Sequence, residues 1–404
     1  MRIILSAYDC SPDHGSEAGL GWNWVMCAAR YEDFEKVHVI TIERYQENIE
    51  RYIKQHVEEM GKIEFHFLPL PLSKLKKLNQ RFKYIIWQGR VAKLAQKICD
   101  KEKIDFVHHV TWATCVLPTR LYRVKNTKFV YGPIGGGERI PPVVNLNLSK
   151  RDAFVEHVRN GLADVSALMP SKRKTYKNAD LILVTTNETR DLVPKKYRSK
   201  VKIMQSIGIN ILPERMELER ADNENFVVFL AARMLCWKGI DIAIEVFRQL
   251  KEYDDNIVLK VAGSGRNFER YQNQARDCEN IQFMGDVPHS EMDELYRSSD
   301  LLLNCSLHDS GCMVVLEAMS HGLPIVAINA GGPGVLISDR CAIRIEPSDV
   351  TTMTGEIKEA IVRLKEDGEL RQKMSRECLK RVESNFLFSS KYEYIIGELQ
   401  GNRG

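Results

Sequence analysis

The sequence has no apolar run that approaches the roughly 18 residues needed to span a bilayer, and no two cysteines spaced as Cys-x-x-Cys. Its ten cysteines are scattered through apolar segments, as at Cys236 and Cys305. In a long chain, this pattern indicates reduced core thiols rather than a disulfide framework. The N-terminal apolar stretch reaches Asp9 too soon to form the apolar part of a signal peptide. These absences predict a cytoplasmic, soluble protein.

The charge is unevenly distributed over a chain of otherwise ordinary globular composition. The 404 residues are 44% hydrophobic and 28% charged, and a chain of this length is expected to fold as more than one domain. Residues 1–215 carry 36 Lys and Arg against 23 Asp and Glu, a net charge of +13. The remainder carries 22 against 31, a net charge of −9. The two halves therefore differ in the ligands or surfaces that they would attract.

The positive excess is concentrated in residues 74–103, where ten Lys and Arg accompany two acids and several aromatic residues. Such a segment can bind an anionic membrane surface, which would make the protein peripheral at the inner membrane face. It can equally be the solvated face of a helix on a globular domain. Nucleic acid is not an expected partner, because no recognition motif is present.

The stretch from 301 to 334 has the pattern of a nucleotide-binding half-sheet. Apolar residues 301–303 predict a buried strand, Ser310 and Gly311 interrupt it, and residues 312–319 resume at helical spacing. A second apolar run at 324–328 ends in a glycine cluster. Such a turn directs backbone N–H groups and a helix N-terminus toward an anion. The carboxylates of Asp309 and Glu317 bracket the turn.

The first half contains three loops that follow predicted strands. A glycine-containing loop spans 10–21, the predicted strand 104–109 ends in His108 and His109, and residues 132–137 form a second glycine-rich loop. Parallel sheets place ligands at the carboxyl ends of their strands. One of the two histidines is therefore expected to meet a substrate. Trp112, which follows them, fits either a core position or a platform for an acceptor.

The second half repeats the alternation of strand and helix. Residues 208–225 are polar and include Pro213, and they form the expected linker. Predicted strands at 226–231, 257–262 and 281–284 each lead into a glycine or basic loop. Two such halves predict two facing Rossmann-like domains in an α/β fold.

At this point the motifs carry a resemblance to a family. The second half resembles the retaining, family-four (group 1) glycosyltransferases of the GT-B fold, whose hallmark is two glutamates separated by seven residues. Here Asp309 and Glu317 hold that spacing, so the first glutamate is replaced by a carboxylate that is about 1.5 Å shorter. The shorter carboxylate could alter donor preference. The other matching motifs are Arg233, Lys238-Gly239, Gly263-Ser264-Gly265, Gly285-Asp286-Val287, Gly322-Leu323-Pro324 and Gly331-Gly332.

The resemblance implies an architecture. It implies an N-terminal acceptor-binding domain at 1–212 and a C-terminal nucleotide-sugar-binding domain at 213–385, with a cleft between them. A last helix at 386–404 would pack back on the N-terminal domain, and domain closure would use the linker 208–225 as a hinge.

The resemblance also implies roles for individual residues. The catalytic set would be Arg233, Lys238, Asp309, His108 and His109, with either histidine open as the contact to sugar or acceptor. Donor binding would involve Gly15, Ser16, Gly263, Gly285, Asp286, Val287, Ser310, Gly311, Cys312, Met313 and Glu317. Acceptor binding would involve Glu17, Trp112, Gly135 and Gly136.

The implied activity is retaining transfer of a hexose or N-acetylhexosamine from a nucleotide sugar, with UDP preferred, to a glycan or lipid-linked acceptor in cell-surface polysaccharide or glycoconjugate synthesis. No metal or other cofactor is expected, because Arg233 and Lys238 can balance the leaving phosphate, and no His or carboxylate cluster has metal-ligand spacing. A GT-B epimerase, a phosphorylase and a non-catalytic sugar-nucleotide-binding protein are the alternatives.

Overall fold

The computed structural model describes residues 1–70, 79–146, 148–213 and 225–401. Residues 74–78 of the basic segment and 214–224 of the expected linker lie outside the described part. The chain divides into two compact units. Unit 1 contains Met1–Gly137, Arg159–Asn210 and Phe388–Gly404, and unit 2 contains Glu138–Val158 and Ile211–Leu387.

Unit 1 is built on a seven-stranded parallel sheet with the strand order β3-β2-β1-β4-β5-β6-β7. The central strands are largely buried, as expected for parallel strands with both faces covered. The strands are β1 Arg2–Ser6, β2 Lys36–Ile42, β3 Ile63–Leu68, β4 Phe106–His109, β5 Lys128–Ile134, β6 Leu181–Val184 and β7 Val201–Ile203.

The α-helices assigned wholly to unit 1 are α1 Ser16–Arg30, α2 Gln46–Gln55, α3 Val57–Met60, α4 Gln80–Lys101, α6 Pro170–Asn178, α7 Asn187–Leu192 and α15 Lys391–Gly401. A further helix, α5, spans Lys150–Ser166 and contains the point at which the chain leaves unit 2 for unit 1. Helix α6 begins separately after α5, because Pro170 has no backbone N–H to give to a preceding turn and is favoured at the start of a helix.

Helix α4 covers most of the basic segment, and its apolar face is turned into the core. Tyr84 and Trp87 are fully buried, whereas Arg81 and Lys93 are exposed on the other side. Two of the three aromatic residues of the described part of this segment are therefore core residues, whereas Phe82 is exposed. For residues 79–103 the solvated helix face is the interpretation that the burial supports.

Helix α15 supplies the last piece of the unit 1 core. Tyr392 is fully buried, and its ring lies against Trp24 with 5.6 Å between the ring centroids and against Phe34 with 4.9 Å. Lys391 is also buried and donates to the backbone oxygen of Gln205 at 2.7 Å. The C-terminal helix thus completes unit 1, which agrees with the GT-B arrangement expected from the sequence.

Unit 2 is built on a six-stranded parallel sheet with the strand order β10-β9-β8-β11-β12-β13. Its strands are β8 Phe226–Ala231, β9 Ile257–Ala262, β10 Ile281–Gly285, β11 Leu301–Asn304, β12 Ile325–Ile328 and β13 Ala342–Ile345. Its helices are α8 Ile240–Lys251, α9 Phe268–Gln274, α10 His289–Arg297, α11 Met313–Ser320, α12 Gly331–Leu336, α13 Val350–Glu366 and α14 Gly368–Asn385.

The segment Glu138–Val158 belongs to unit 2, although the domain boundary expected from the sequence placed it in the first domain. Val144 is buried in the unit 2 core, and Asp152 forms an ion pair with Arg266. These contacts are non-local, and the polar sequence around them does not reveal them.

No helix in the part of the chain that the structure describes is both long and apolar enough to cross a membrane.

Replacement of Tyr392 tests whether α15 is part of the unit 1 core. Tyr392→Ala should lower the free energy of unfolding by about 3–5 kcal/mol, because it leaves a cavity among Trp24 and Phe34. Tyr394→Ala on the same helix removes a more exposed ring and should change it by no more than about 0.5 kcal/mol. Urea unfolding followed by tryptophan fluorescence compares the two. Equal effects would contradict this packing.

Candidate functional site

The residues expected at the site in unit 2 lie at the carboxyl ends of its strands. Neighbouring strands β8 and β11 form the switch point of the sheet, since β9 follows on one side and β12 on the other. In open parallel sheets, the loops that leave such a pair diverge and create a ligand-binding crevice. Arg233 and Lys238 follow β8, and Asp309 through Cys312 follow β11.

An ion pair joins the two loops at this switch point. The Lys238 ammonium contacts the Asp309 carboxylate, and both side chains are largely shielded from solvent. Lys238 ends a short 3-10 turn, Cys236–Lys238, and Gly239 with φ of +66° then starts α8. Partial burial strengthens such a pair relative to one in open solvent. The first carboxylate of the predicted pair is therefore already held by a cation.

Helix α11 begins directly after the interrupted turn. Cys312, the residue before it, has φ of +71°, which is uncommon for a residue other than glycine. No side chain caps the N-terminus of α11. The N–H groups of its first turn are those that an anion can accept from. Burial raises the pKa of the Cys312 thiol to about 12, with the Asp309 carboxylate adding to the shift, so this cysteine is protonated rather than reactive.

Two glycines allow the backbone to approach this turn closely. The Gly332 amide donates to the Asp309 carbonyl at 2.6 Å. A Cβ on Gly331 would lie 2.6 Å from the Asp309 carbonyl oxygen, and one on Gly332 would lie 2.7 Å from that of Gly311. Neither position accommodates a side chain without backbone movement. The glycine cluster after β12 thus braces the turn after β11.

The second carboxylate, Glu317, lies one turn into α11 and accepts a hydrogen bond from the Tyr296 hydroxyl at 2.7 Å. Burial of the phenol, together with the adjacent Glu317 charge, raises the pKa of Tyr296 far above its usual value. The contact keeps the phenol proton in place as a donor and orients the carboxylate. The sequence did not indicate Tyr296, because α10 contains no motif that assigns a role to its hydroxyl group.

The remaining donor-side candidates lie on loops at the same edge of the sheet. The Arg233 side chain is exposed and has no hydrogen bond or ion pair with any residue that the structure describes. The Gly263 amide donates to the Gly285 carbonyl at 2.7 Å, which joins the loops after β9 and β10. Asp286 is exposed and Val287 is half-buried. These groups are accessible to a ligand.

Glu138 is a further residue that the sequence did not indicate. It is buried, and one of its carboxylate oxygens accepts from the Ser310 hydroxyl at 2.6 Å. Ser310 precedes α11 by three positions, so Glu138 holds the turn from a segment about 170 residues away in the chain. A contact at that separation has no local sequence signal.

The switch point of unit 1 lies between β1 and β4. After β1, the Asp9 carboxylate contacts Arg44 and accepts from the indole N–H of Trp112 at 2.7 Å. The Glu17 carboxylate accepts from the Trp112 backbone amide at 2.5 Å, and burial raises the pKa of Glu17. Trp112 has φ of +56°. Sequence reasoning named Glu17 and Trp112 but missed Asp9 and Arg44.

His108 is fully buried at the end of β4. Its Nε2 lies 2.8 Å from the Gly132 carbonyl oxygen, which can only accept, so Nε2 donates. Nδ1 is 3.4 Å from the Tyr392 hydroxyl, and the ring packs edge-on against Trp24. Burial lowers the pKa of His108 to about 3. The contacts of this neutral ring are therefore with core residues.

His109 is also fully buried, on the other face of β4. Its Nε2 is 3.0 Å from the Tyr84 hydroxyl, and its ring stacks on Tyr131. Burial lowers the pKa of His109 to about 3, and the buried Lys172 adds to the shift. The strand-end position was predicted correctly, but neither histidine has an exposed atom through which to touch a substrate.

The glycine-loop candidates of unit 1 differ in their setting. Gly15 and Ser16 are exposed at the start of α1, and Ser16 has φ of +54°. Gly135 is fixed by backbone hydrogen bonds with Ala113 and Cys115, and the Gly136 carbonyl accepts from the Cys115 thiol. The second loop is therefore a braced part of the sheet edge.

None of the candidates above belongs to a cluster with metal-ligand spacing. Within the described residues, one group of His, Cys, Asp and Glu atoms is close enough to hold an ion, and it lies on β2 and β3 of unit 1. Sequence spacing did not reveal it.

The match to a family model lies in the second half of the sequence. Residues 213–381 match the model of the family described as glycosyl transferases group 1. A component of the phosphatidylinositol N-acetylglucosaminyltransferase of Homo sapiens is 26% identical over 232 residues, which is 52% of this chain and 45% of the relative. The D-inositol 3-phosphate glycosyltransferase of Corynebacterium aurimucosum is 26% identical over 211 residues, which is 46% of this chain and 50% of the relative. The chain spans about half the length of these curated relatives.

Solved structures match over nearly the whole chain. The structure of Anabaena Alr3699/HepE in complex with UDP matches with a TM-score of 0.64 at 15% identity. The match covers 99% of this chain and 100% of the HepE chain. WaaG, a glycosyltransferase involved in lipopolysaccharide biosynthesis, has a TM-score of 0.53 at 15% identity and covers 97% and 98%. At this identity the matches show the fold alone.

The two buried histidines give a pH prediction. The folded state keeps both rings neutral down to about pH 3, whereas the unfolded chain takes up protons below about pH 6.5. Their contribution to the free energy of unfolding should therefore fall as the pH decreases from about 6.5. NMR should show no titration of either ring between about pH 7.5 and 5 in the native protein. The same rings should titrate normally in urea.

The variants His108→Gln and His109→Gln assign the two ring resonances, because each variant lacks one of the two rings. A native midpoint inside that pH range would contradict the burial of the corresponding ring.

Proposed function

Since the chain belongs, through residues 213–381, to the group 1 glycosyl transferases and has the GT-B fold, we propose that it is a retaining, metal-independent glycosyltransferase. It moves a hexose or N-acetylhexosamine from a nucleotide sugar to a glycan or lipid-linked acceptor in cell-surface glycoconjugate synthesis. The observation that carries the proposal is the set of groups at the switch point of unit 2. Two cations, a free helix N-terminus and two carboxylates occur together there.

These groups suit the departure of a nucleoside diphosphate. The bond from the anomeric carbon to the phosphate oxygen breaks, and the acceptor oxygen forms the new bond to that carbon. The acceptor proton passes to the departing phosphate. Arg233 can bind phosphate in a bidentate manner, and Lys238 and the α11 N-terminus add positive potential. Preorganised stabilisation of this kind is commonly a large part of catalysis. Protein cations then do the work for which other enzymes use a metal.

In this proposal the two carboxylates bind different parts of the donor. Glu317, oriented by Tyr296, would accept from the ribose hydroxyls, and Asp309 would accept from the transferred sugar. The Lys238–Asp309 ion pair supports this role, because it holds the Asp309 carboxylate at the turn. Backbone groups around Gly285 would contact the base. UDP is the preferred nucleotide, since the matched structures include HepE with UDP and glucose and GtfA with UDP and GlcNAc.

We assign the acceptor to unit 1. The groups around Trp112 at the β1–β4 switch point support this, because Glu17 and the Asp9–Arg44 pair converge there. The buried histidines contribute to the shape of the β4 end rather than to the contacts on which this assignment rests. Retention would follow from attack on the same face of the sugar that the phosphate leaves. A relative named for phosphatidylinositol favours a lipid-linked acceptor.

Helix α5 provides a surface for a lipid-linked acceptor. Exposed apolar side chains recur along it at helical spacing, and basic residues accompany them at its start. The apolar residues are Phe154, Val155, Val158, Leu162 and Val165. Such a helix can lie in the interface of an anionic membrane. It is a better candidate than the basic segment 74–103, whose described aromatic residues are largely buried.

A transfer assay with single substitutions tests the proposed activity. The wild-type protein, incubated with a panel of sugar nucleotides and lipid-linked or glycan acceptors, should form a product whose anomeric configuration is retained by NMR. Arg233→Met should reduce kcat by about 10²–10³-fold, because it removes one donor to the leaving phosphate. Arg276→Met changes an arginine that is 78% exposed and pairs only with Asp277 among the described residues, and it should leave kcat unchanged.

Three other outcomes would contradict the proposal. An isomerised donor would indicate an epimerase, and a phosphorolysed glycan would indicate a phosphorylase. Tight UDP binding without turnover would indicate a binding protein. Inversion at the anomeric carbon would contradict retention alone.

Co-sedimentation with liposomes tests the α5 surface. Phe154→Ser combined with Leu162→Ser should weaken binding to anionic vesicles by roughly tenfold or more, because two apolar side chains no longer leave water. The control combines Val57→Ser and Ile211→Ser, which change exposed apolar residues elsewhere in the chain. Equal binding by both double variants would contradict a role for α5.

A further inference from the structure

Strands β2 and β3 place two histidines and a glutamate on one face of the unit 1 sheet. His38 is the register partner of Glu64, and His66 lies two residues beyond Glu64 on the same strand. Residues two apart on a strand share a face. The three side chains therefore converge, although His38 and Glu64 are 26 positions apart in the sequence.

The distances among their ligand atoms match those around a small cation. His38 Nδ1 lies 3.0 Å from His66 Nε2. Glu64 Oε1 lies 3.5 Å from His66 Nε2, and Glu64 Oε2 lies 3.6 Å from His38 Nδ1. Ligand atoms at about 2.0–2.1 Å from a tetrahedral Zn²⁺ are roughly 3.3 Å from one another. The nearest distances are within a few tenths of an ångström of that value, with the two Glu64 distances made by its two oxygens. One ligand atom from each residue lies within 4.8 Å of the others.

The hydrogen bond on the outer side of His38 suits metal binding. The Nε2 of His38 lies 3.1 Å from Glu102 Oε1, a carboxylate that accepts its proton. That hydrogen bond leaves the Nδ1 lone pair directed at the group. A carboxylate behind a ligating histidine is the usual outer partner of a zinc ligand.

We propose that His38, Glu64 and His66 form a Zn²⁺ site, with Glu102 as the residue that positions His38. Two imidazoles and one carboxylate are typical Zn²⁺ ligands and leave a fourth position for water. The site is independent of the proposed glycosyl transfer, because none of its residues belongs to the donor or acceptor groups. Its effect would be on the stability of the β2–β3 edge of the sheet.

Lys36 sets the affinity of this site. Its ammonium lies 2.8 Å from Glu64 Oε2 and 3.2 Å from Glu102 Oε1. Arg2 contacts the other oxygen of Glu102 at 3.5 Å. A bound cation would compete with Lys36 for Glu64 and would be repelled by its charge. Removal of the Lys36 ammonium should therefore raise the affinity of the site for the metal. If ion pairs alone held His38, Glu64 and His66 together, the same change should instead loosen their arrangement.

Calorimetry with ZnCl₂ and the metal-free 404-residue protein tests the site. The wild type should bind one equivalent and gain thermal stability. His66→Gln and Glu64→Gln should each weaken binding by about tenfold or more, and Lys36→Met should tighten it. His66 and Glu64 are 19% and 48% exposed, so these variants are expected to fold. His289→Gln, which changes an exposed histidine of unit 2, is the matched control.

Cobalt spectroscopy identifies the ligands. Co²⁺ in place of Zn²⁺ should show visible absorption of a nitrogen and oxygen site, which His66→Gln abolishes. A sulfur-to-cobalt band would assign the bound metal to cysteines and overturn the proposal. So would the absence of Zn²⁺-dependent stabilisation, unchanged affinity in both His66→Gln and Glu64→Gln, or looser binding by Lys36→Met.

Discussion

A hydrogen bond to a carboxylate crosses the switch point of each sheet. In unit 2 the Lys238 ammonium reaches Asp309, and in unit 1 the Trp112 indole reaches Asp9. The loops that leave a switch point diverge, so nothing in the sheet itself holds them together. The polar bridge restrains the loops, and in unit 2 the Leu307 amide adds a hydrogen bond to the Trp237 carbonyl at 2.8 Å. Gly332 approaches the Asp309 carbonyl, and α11 then starts in the direction that the turn allows.

The sequence was most informative where function and local geometry coincide. The turn after β11 was predicted from an apolar strand, a break at Ser310 and Gly311 and a resumed helical pattern, and the structure has each of these elements. Lys238 and Asp309 were placed in one site by resemblance, and they are in contact. Two parallel sheets also followed from alternating patterns. Local periodicity was sufficient, because each of these features lies within about 20 residues of chain.

The burial of individual side chains, and their contacts with residues far away in the sequence, could not be predicted in the same way. The strand-end rule found the correct edge of β4, but only the packing of α15 and α4 shows that His108 and His109 are covered on both faces. Tyr84 and Trp87 looked like membrane contacts in a basic segment and are core residues. Glu138 reaches Ser310 across the sequence, and His38 meets His66 through strand register. Such contacts depend on tertiary topology, which a single sequence does not encode locally.

The segment Glu138–Val158 belongs to unit 2, although residues of unit 1 precede and follow it in the sequence. This arrangement limits how the protein can be divided into fragments. The backbone passes from one unit to the other at four points, so neither unit is a contiguous piece of chain. A fragment cut at 213–381 would contain every strand of the second sheet, yet it would lack Val144 in its core and the carboxylates that hold Ser310 and Arg266. A fragment that contains all of unit 2 is therefore a composite of two stretches of sequence, and its recombinant form needs Glu138–Val158 joined to the rest by a linker.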